Sequence, residues 1–158
     1  MISVGHRFKN RWYGELATRL EGVKVDNLDD NDAPPEVVRD EGSHLVLGLK
    51  GSLVRDRTDS HWIPTRGDRF SFSYEQVTGD YNFPRVTGDY RIYHTVWDDA
   101  LDRKHVLASR VSAAHNLSEA PIFERFYGGG IGSLRGFEYR GISPRSKGFP
   151  NGIGFDEP

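Results

Sequence analysis

The strongest constraint on this chain is an alternation of period two that holds almost everywhere through segments of about ten residues or more. In residues 68–77, Phe70, Phe72 and Tyr74 fall on one side and Arg69, Ser71, Ser73 and Glu75 on the other. Residues 43–54 set Leu45, Leu47, Leu49 and Leu53 against His44, Lys50 and Ser52. Residues 86–97 set Tyr90, Ile92 and Val96 against Asp89, Arg91 and Thr95, and residues 104–115 set Leu107, Val111 and Ala113 against Arg110 and Ser112. Successive side chains of a strand point to opposite faces, so the chain reads as all-β. Two weaker strands are expected near residues 2–9 and 14–26.

An apolar face backed by a charged one has two physical solutions. Either the apolar face packs on a second sheet, as in a soluble sandwich or small barrel that binds ligands, or it meets lipid while the polar face lines a barrel lumen. Strand length favours lipid. Globular strands centre near about five or six residues, whereas a tilted membrane strand needs about nine to eleven. Composition sets outer limits. At 158 residues the chain has the length of one domain, and its net charge of −2 supplies no field that would attract nucleic acid. It contains no cysteine, hence no disulfide frame or thiolate site. No apolar run is long enough for a transmembrane helix, and the first residues carry no signal-peptide core.

Residues 122–145 break the alternation. Gly128, Gly129, Gly130 and Gly132 disfavour both helix and strand, yet Phe126, Tyr127, Phe137 and Tyr139 are too apolar for a loose linker. The expectation is an ordered, functional loop. It is no nucleotide loop, because Arg135 stands where a dinucleotide fingerprint needs its third glycine and no Gly-Lys-Ser/Thr follows. Ser133 lacks the Gly-x-Ser-x-Gly context of a hydrolase nucleophile. The six histidines form no His-x-His or His-x-x-x-His pair. Asp56, Asp59 and Asp68 near turns read as caps of backbone N–H groups more readily than as cation ligands. No nucleophile–base pair is present, so no enzymatic activity and no cofactor or metal is expected. Between the strands lie a long acidic connection at 27–42, an intermediate one at 57–67 and a short one at 98–103. Val-Thr-Gly-Asp-Tyr occurs at 77–81 and again at 86–90, which suggests two arms around a hairpin tip at Asn82-Phe83-Pro84-Arg85.

Two motifs then converge. The run Glu124-Arg125-Phe126-Tyr127-Gly128-Gly129-Gly130-Ile131-Gly132-Ser133-Leu134-Arg135-Gly136-Phe137 closely resembles the signature of the BamA/TamA family of outer-membrane assembly barrels, also called the bacterial surface antigen family. Its hallmark is an apolar residue followed by Arg-Gly-Phe/Tyr, here Leu134-Arg135-Gly136-Phe137. Asp56, Arg57 and Asp59 with Pro64, Thr65 and Gly67 look like the turn motif of the same family. The resemblance implies an antiparallel transmembrane β-barrel of which residues 1–158 supply about six strands, the sixth to the eleventh of a 16-stranded whole, without the family's periplasmic POTRA domains. It implies that 122–145 folds back into the lumen, with Glu124, Arg125, Phe126, Tyr127, Gly129, Gly130 and Ser133 supporting the loop. It further implies that Arg135 pairs with acidic groups of the barrel wall from strands beyond residue 158, that Gly136 makes the tight turn and that Phe137 packs the tip. Connections 10–13, 55–67 and 98–103 would face the periplasm. The partners implied are outer-membrane lipid, unfolded outer-membrane protein substrates and the lipoproteins of an assembly complex; the location implied is the bacterial outer membrane. A two-partner-type secretion pore shares the same features. About six strands close no bacterial barrel, whose smallest examples have about eight, so the chain is expected to be part of a longer protein, insoluble or polydisperse when expressed alone and without insertase activity of its own.

Overall fold

In a computed structural model, residues 1–26, 38–101, 103–131 and 133–142 are described. Six antiparallel strands form one sheet in simple meander order: β1 (Ile2–Arg7), β2 (Trp12–Val25), β3 (Gly42–Asp56), β4 (Gly67–Gly79), β5 (Phe83–Asp98) and β6 (Lys104–Asn116). Beyond the short β1, the strands contain 13 to 16 residues. At about 3.3 Å per residue and a tilt near 45°, such strands rise roughly 30–37 Å, enough to cross a hydrocarbon core about 30 Å thick. The acidic connection expected at 27–42 lies outside the described residues as far as position 37.

Register sorts the side chains. Leu16 and Leu20 of β2, Leu45, Leu47, Leu49 and Leu53 of β3, Phe72 and Tyr74 of β4, and Tyr90 and Ile92 of β5 share one face, and all are exposed. Among the described residues no second sheet covers this face. Such an uncovered apolar face is what a membrane strand presents to lipid. The opposite face is polar and partly covered. It carries Ala17 and Arg19 of β2, Val46, Gly48 and Lys50 of β3, Ser73, Glu75 and Val77 of β4, and Phe83, Arg85, Thr87 and Asp89 of β5. The small core lies here: Val46, Val77, Phe83 and Ala120 are buried, with Tyr81 and Phe123 packed against them. The opposed faces therefore follow directly from the period-two pattern.

One expectation fails. The hairpin tip is Asp80-Tyr81-Asn82, not Asn82-Phe83-Pro84-Arg85, because Phe83, Pro84 and Arg85 already pair with Val77, Gln76 and Glu75. The repeated pentapeptides are thus not symmetric arms. The first runs from the end of β4 into the turn, and the second lies inside β5. Pro84 gives the ladder no donor, but it is only the second residue of β5 and its carbonyl accepts from Leu117 N at 2.8 Å.

Candidate functional site

Four charged side chains from distant parts of the chain meet on the polar face. Arg19 of β2 and Glu75 of β4 are separated by β3, whose residue at the crossing is Gly48. A Cβ at Gly48 would stand 2.5 Å from Glu75 Oε1 and 3.1 Å from Arg19 Nε. The glycine opens a window through which Arg19 Nε donates to Glu75 Oε1 at 2.9 Å. Arg85 enters from β5, its Nη1 3.8 Å from Glu75 Oε2. The fourth member, Glu124, comes from a short 3₁₀ turn at Ile122–Glu124 in the segment after β6. Arg19 Nη1 lies 2.7 Å from its Oε1, and Arg85 Nη2 donates to its Oε2. Arg85 Nη2 also donates to the Glu124 carbonyl at 2.8 Å, and Arg85 Nε to Asn116 Oδ1 at 3.2 Å. Glu75 and Glu124 are each only 8% exposed. Burial works against the charge of Glu124, but hydrogen bonds and attraction from Arg19 and Arg85 hold its carboxyl below its ordinary value. Two arginine forks and two carboxylates thus compensate one another where any one alone would be costly.

A second set of contacts fixes the same segment at the sheet's end. Asp40, 1% exposed, accepts from Ile122 N at 2.8 Å and from Tyr81 Oη at 3.1 Å. Burial, with the Asp40 charge beside it, pushes the Tyr81 hydroxyl up to about 12. Phe123 packs edge-on against Tyr81 and stacks on His44. Arg85 lies over the rings of Phe83 and Phe126 at 5.7 and 5.2 Å. Arg125 Nε donates to Ala120 O and Tyr127 Oη to Ile122 O, which stiffens the segment internally.

Beyond Tyr127 the segment is held by its own backbone. Gly128 and Ile142 exchange N–H···O bonds of 2.8 and 3.0 Å, and Gly130 N donates to Phe137 O at 3.0 Å. Ser133 Oγ accepts from Gly129 N at 2.9 Å. Gly129 has φ +107°, and a Cβ there would lie 2.1 Å from Glu138 O, so no other residue fits. Gly136 turns the tip with φ +91°. Leu134, Arg135, Gly136 and Phe137 are all exposed, Phe137 at 55%. Arg135 forms no ion pair among the described residues.

The connection between β3 and β4 is equally well ordered. Asp56 Oδ1 accepts from Thr58 N at 3.0 Å, and Asp59 Oδ1 accepts from Thr65 N at 2.9 Å and Arg66 N at 3.1 Å. With the Thr65 hydroxyl bound to its other oxygen, Asp59 is held well below the usual carboxylate range. Both aspartates therefore cap backbone N–H groups. Gly67, at φ +109°, is required because a Cβ would stand 2.3 Å from Arg57 O.

The sheet has one uncovered apolar face and a glycine–aromatic loop whose base is docked on the other, and sequence comparison gives its family. The model of the Omp85 superfamily domain matches residues 1–154. The chain belongs to the Omp85 superfamily. Among curated relatives, the outer membrane protein assembly factor BamA of Nitratidesulfovibrio vulgaris is 33% identical over 155 residues, which cover 90% of this chain and 19% of that protein. A SAM50-like protein of Schizosaccharomyces pombe is 28% identical over 153 residues, covering 91% of this chain and 32% of its own length. The Omp85 segment thus spans about a fifth and about a third of these two relatives. No solved structure matches the chain significantly. The parent of this Omp85 segment is a protein of the bacterial outer membrane.

Within the Omp85 segment, the residues singled out from sequence fall into three places. Glu124, Arg125, Phe126 and Tyr127 form the docked base of the loop, and Gly129, Gly130 and Ser133 form its neck. Leu134, Arg135, Gly136 and Phe137 form the tip, while Asp56, Arg57, Asp59, Pro64, Thr65 and Gly67 build the turn. Sequence reasoning missed Arg19, Gly48, Glu75, Arg85 and Asp40. The available signals were a glycine on the polar side of leucine-rich β3 and charged residues on the polar side of β2, β4 and β5.

Proposed function

We propose that the parent protein assembles β-barrel proteins into the bacterial outer membrane, and that this segment supplies one stretch of barrel wall with the lumenal loop fastened to it. The observation that carries the reading is the Arg19–Glu75–Arg85–Glu124 cluster, which ties the loop base to three wall strands. The names of the relatives point the same way: one is an outer membrane protein assembly factor and the other is SAM50-like. The chemistry needed is positioning without bond-making, so no catalytic group or cofactor is assigned. Substrates would be unfolded outer-membrane proteins, and partners the lipoproteins of an assembly complex. The tip arginine, Arg135, would then clamp onto carboxylates of the remaining wall, for which its rigid five-donor fork is suited. The turn around Asp59 and Thr65 would sit on the periplasmic side.

The test replaces the full-length parent in its host with the Arg135→Ala variant and measures folded outer-membrane proteins. The expected result is a severalfold fall in their amount with the parent still in the membrane. Unchanged barrel assembly and stability would remove Arg135 from the mechanism. Loss of a single secreted protein, with outer-membrane proteins at normal levels, would make the parent a secretion pore instead.

A further inference from the structure

The apolar face ends, beside the β1–β2 and β3–β4 connections, in a group of side chains that neither the wall nor the loop uses. Trp12 and Arg55 are register partners on that face, and the Arg55 guanidinium lies 5.4 Å above the Trp12 ring. Trp12 meets Phe70 edge-on at 6.4 Å. Asn10, Arg11 and Arg57 complete a groove of about 620 Å³ with Trp12 and Arg55. Arg55 and Arg57 share one carboxylate, that of Asp68, which lies 2.9 Å from Arg55 Nη2 and 3.9 Å from Arg57 Nε, and Arg11 has no ion pair among the described residues. Asp56 and Asp59 are occupied with backbone N–H groups. The Arg57 side chain is 60% exposed, and Arg11 is exposed with one bond, Nη1 to Thr58 O at 3.1 Å. Directly along the sheet from this groove run exposed Leu16, Leu53 and Phe72, which suit an acyl chain.

We propose that this groove binds the phosphate of an anionic glycerophospholipid. An excess of guanidinium at the boundary of an apolar face, with an indole beside it, matches the depth at which lipid phosphates lie. Arginine forks bind phosphate with two parallel bonds. The Asp68 carboxylate would repel a phosphate, but it is paired with Arg55, and the remaining positive charge of Arg11 and Arg57 favours a headgroup without an ammonium over a zwitterionic one. The inference rests on the outer face meeting lipid and is independent of the assembly activity.

The test uses the full-length parent in detergent micelles, with phosphatidylglycerol binding followed by native mass spectrometry and phosphatidylcholine as the control. Arg11→Gln combined with Arg57→Gln is expected to weaken phosphatidylglycerol binding about tenfold and leave phosphatidylcholine unaffected. Arg11→Lys with Arg57→Lys, which keeps the charge but not the two-bond fork, is expected to lose less affinity than the glutamine pair. Equal binding of the two lipids by the native protein, or unchanged phosphatidylglycerol binding in the glutamine variant, would overturn the proposal. Displacement of the lipid by millimolar inorganic phosphate would assign the groove to a free anion and overturn the lipid assignment.

Discussion

The base and the tip of the loop, at Glu124 and Arg135, are eleven residues apart and are held by opposite means. The base, around Glu124, is fastened by Arg19, Arg85 and Asn116 of the sheet and by Asp40 just before β3. The tip, around Arg135, is shaped by glycines and backbone hydrogen bonds within 128–142 and touches no wall charge among the described residues. The difference teaches that shape and attachment are encoded separately. The tip keeps its form without the wall, whereas the base exists only as a contact between remote parts of the chain.

Breaking the base should have the largest effect. Arg85→Ala leaves Glu75 and Glu124 with Arg19 alone in a buried site, and removing one partner from such a group costs about 3–5 kcal/mol. Denaturant unfolding of the full-length parent in micelles should show that loss, together with protease cleavage between residues 117 and 127; a loss under about 1 kcal/mol would mean the cluster is incidental. Gly48→Val attacks the same base without touching a charge. Its side chain closes the window between Arg19 and Glu75, and overpacking of this kind costs about 1–3 kcal/mol. Protons act on the base as well. The Glu124 carboxyl titrates in the folded protein below its ordinary value of 4.5, so its contribution is complete above that pH and is lost as pH falls through the folded value. Protease sensitivity of the base should therefore rise only below about pH 4.5 and stay flat from there to neutrality. The smallest effect belongs to the tip. Gly136→Ala meets open space but must adopt φ +91°, a strain of about 1–2 kcal/mol confined to the loop. It should leave the cleavage pattern of the base unchanged, and a change there would show that tip and base are coupled.

The strands were legible because their chemistry is local: period two fixes two faces whatever the neighbours are, and Leu45 to Leu53 or Phe70 to Tyr74 announce it unaided. The start of β5 was misread because Asn82 and Pro84 carry turn chemistry, and only pairing with β4 shows Pro84 to be in register. The loop's base was visible through Glu124 and its motif, and Gly129 and Gly130, expected to disfavour helix and strand, are at positive φ, as is Gly136, expected at the tight turn. The partners of Glu124 were hidden for a different reason. Positions 19, 75, 85 and 124 become neighbours through register alone, and register is a property of pairs of strands.

Gly48 has a mechanical meaning as well as a steric one. Ladder hydrogen bonds join each strand only to the next and let a sheet bend about its strand axes like a slatted blind. The Arg19–Glu75 pair, passing over Gly48, spans three slats at once on the polar face and works as a strut. At this crossing β2, β3 and β4 are therefore braced against one another, and bending is left to strand pairs that carry no such brace.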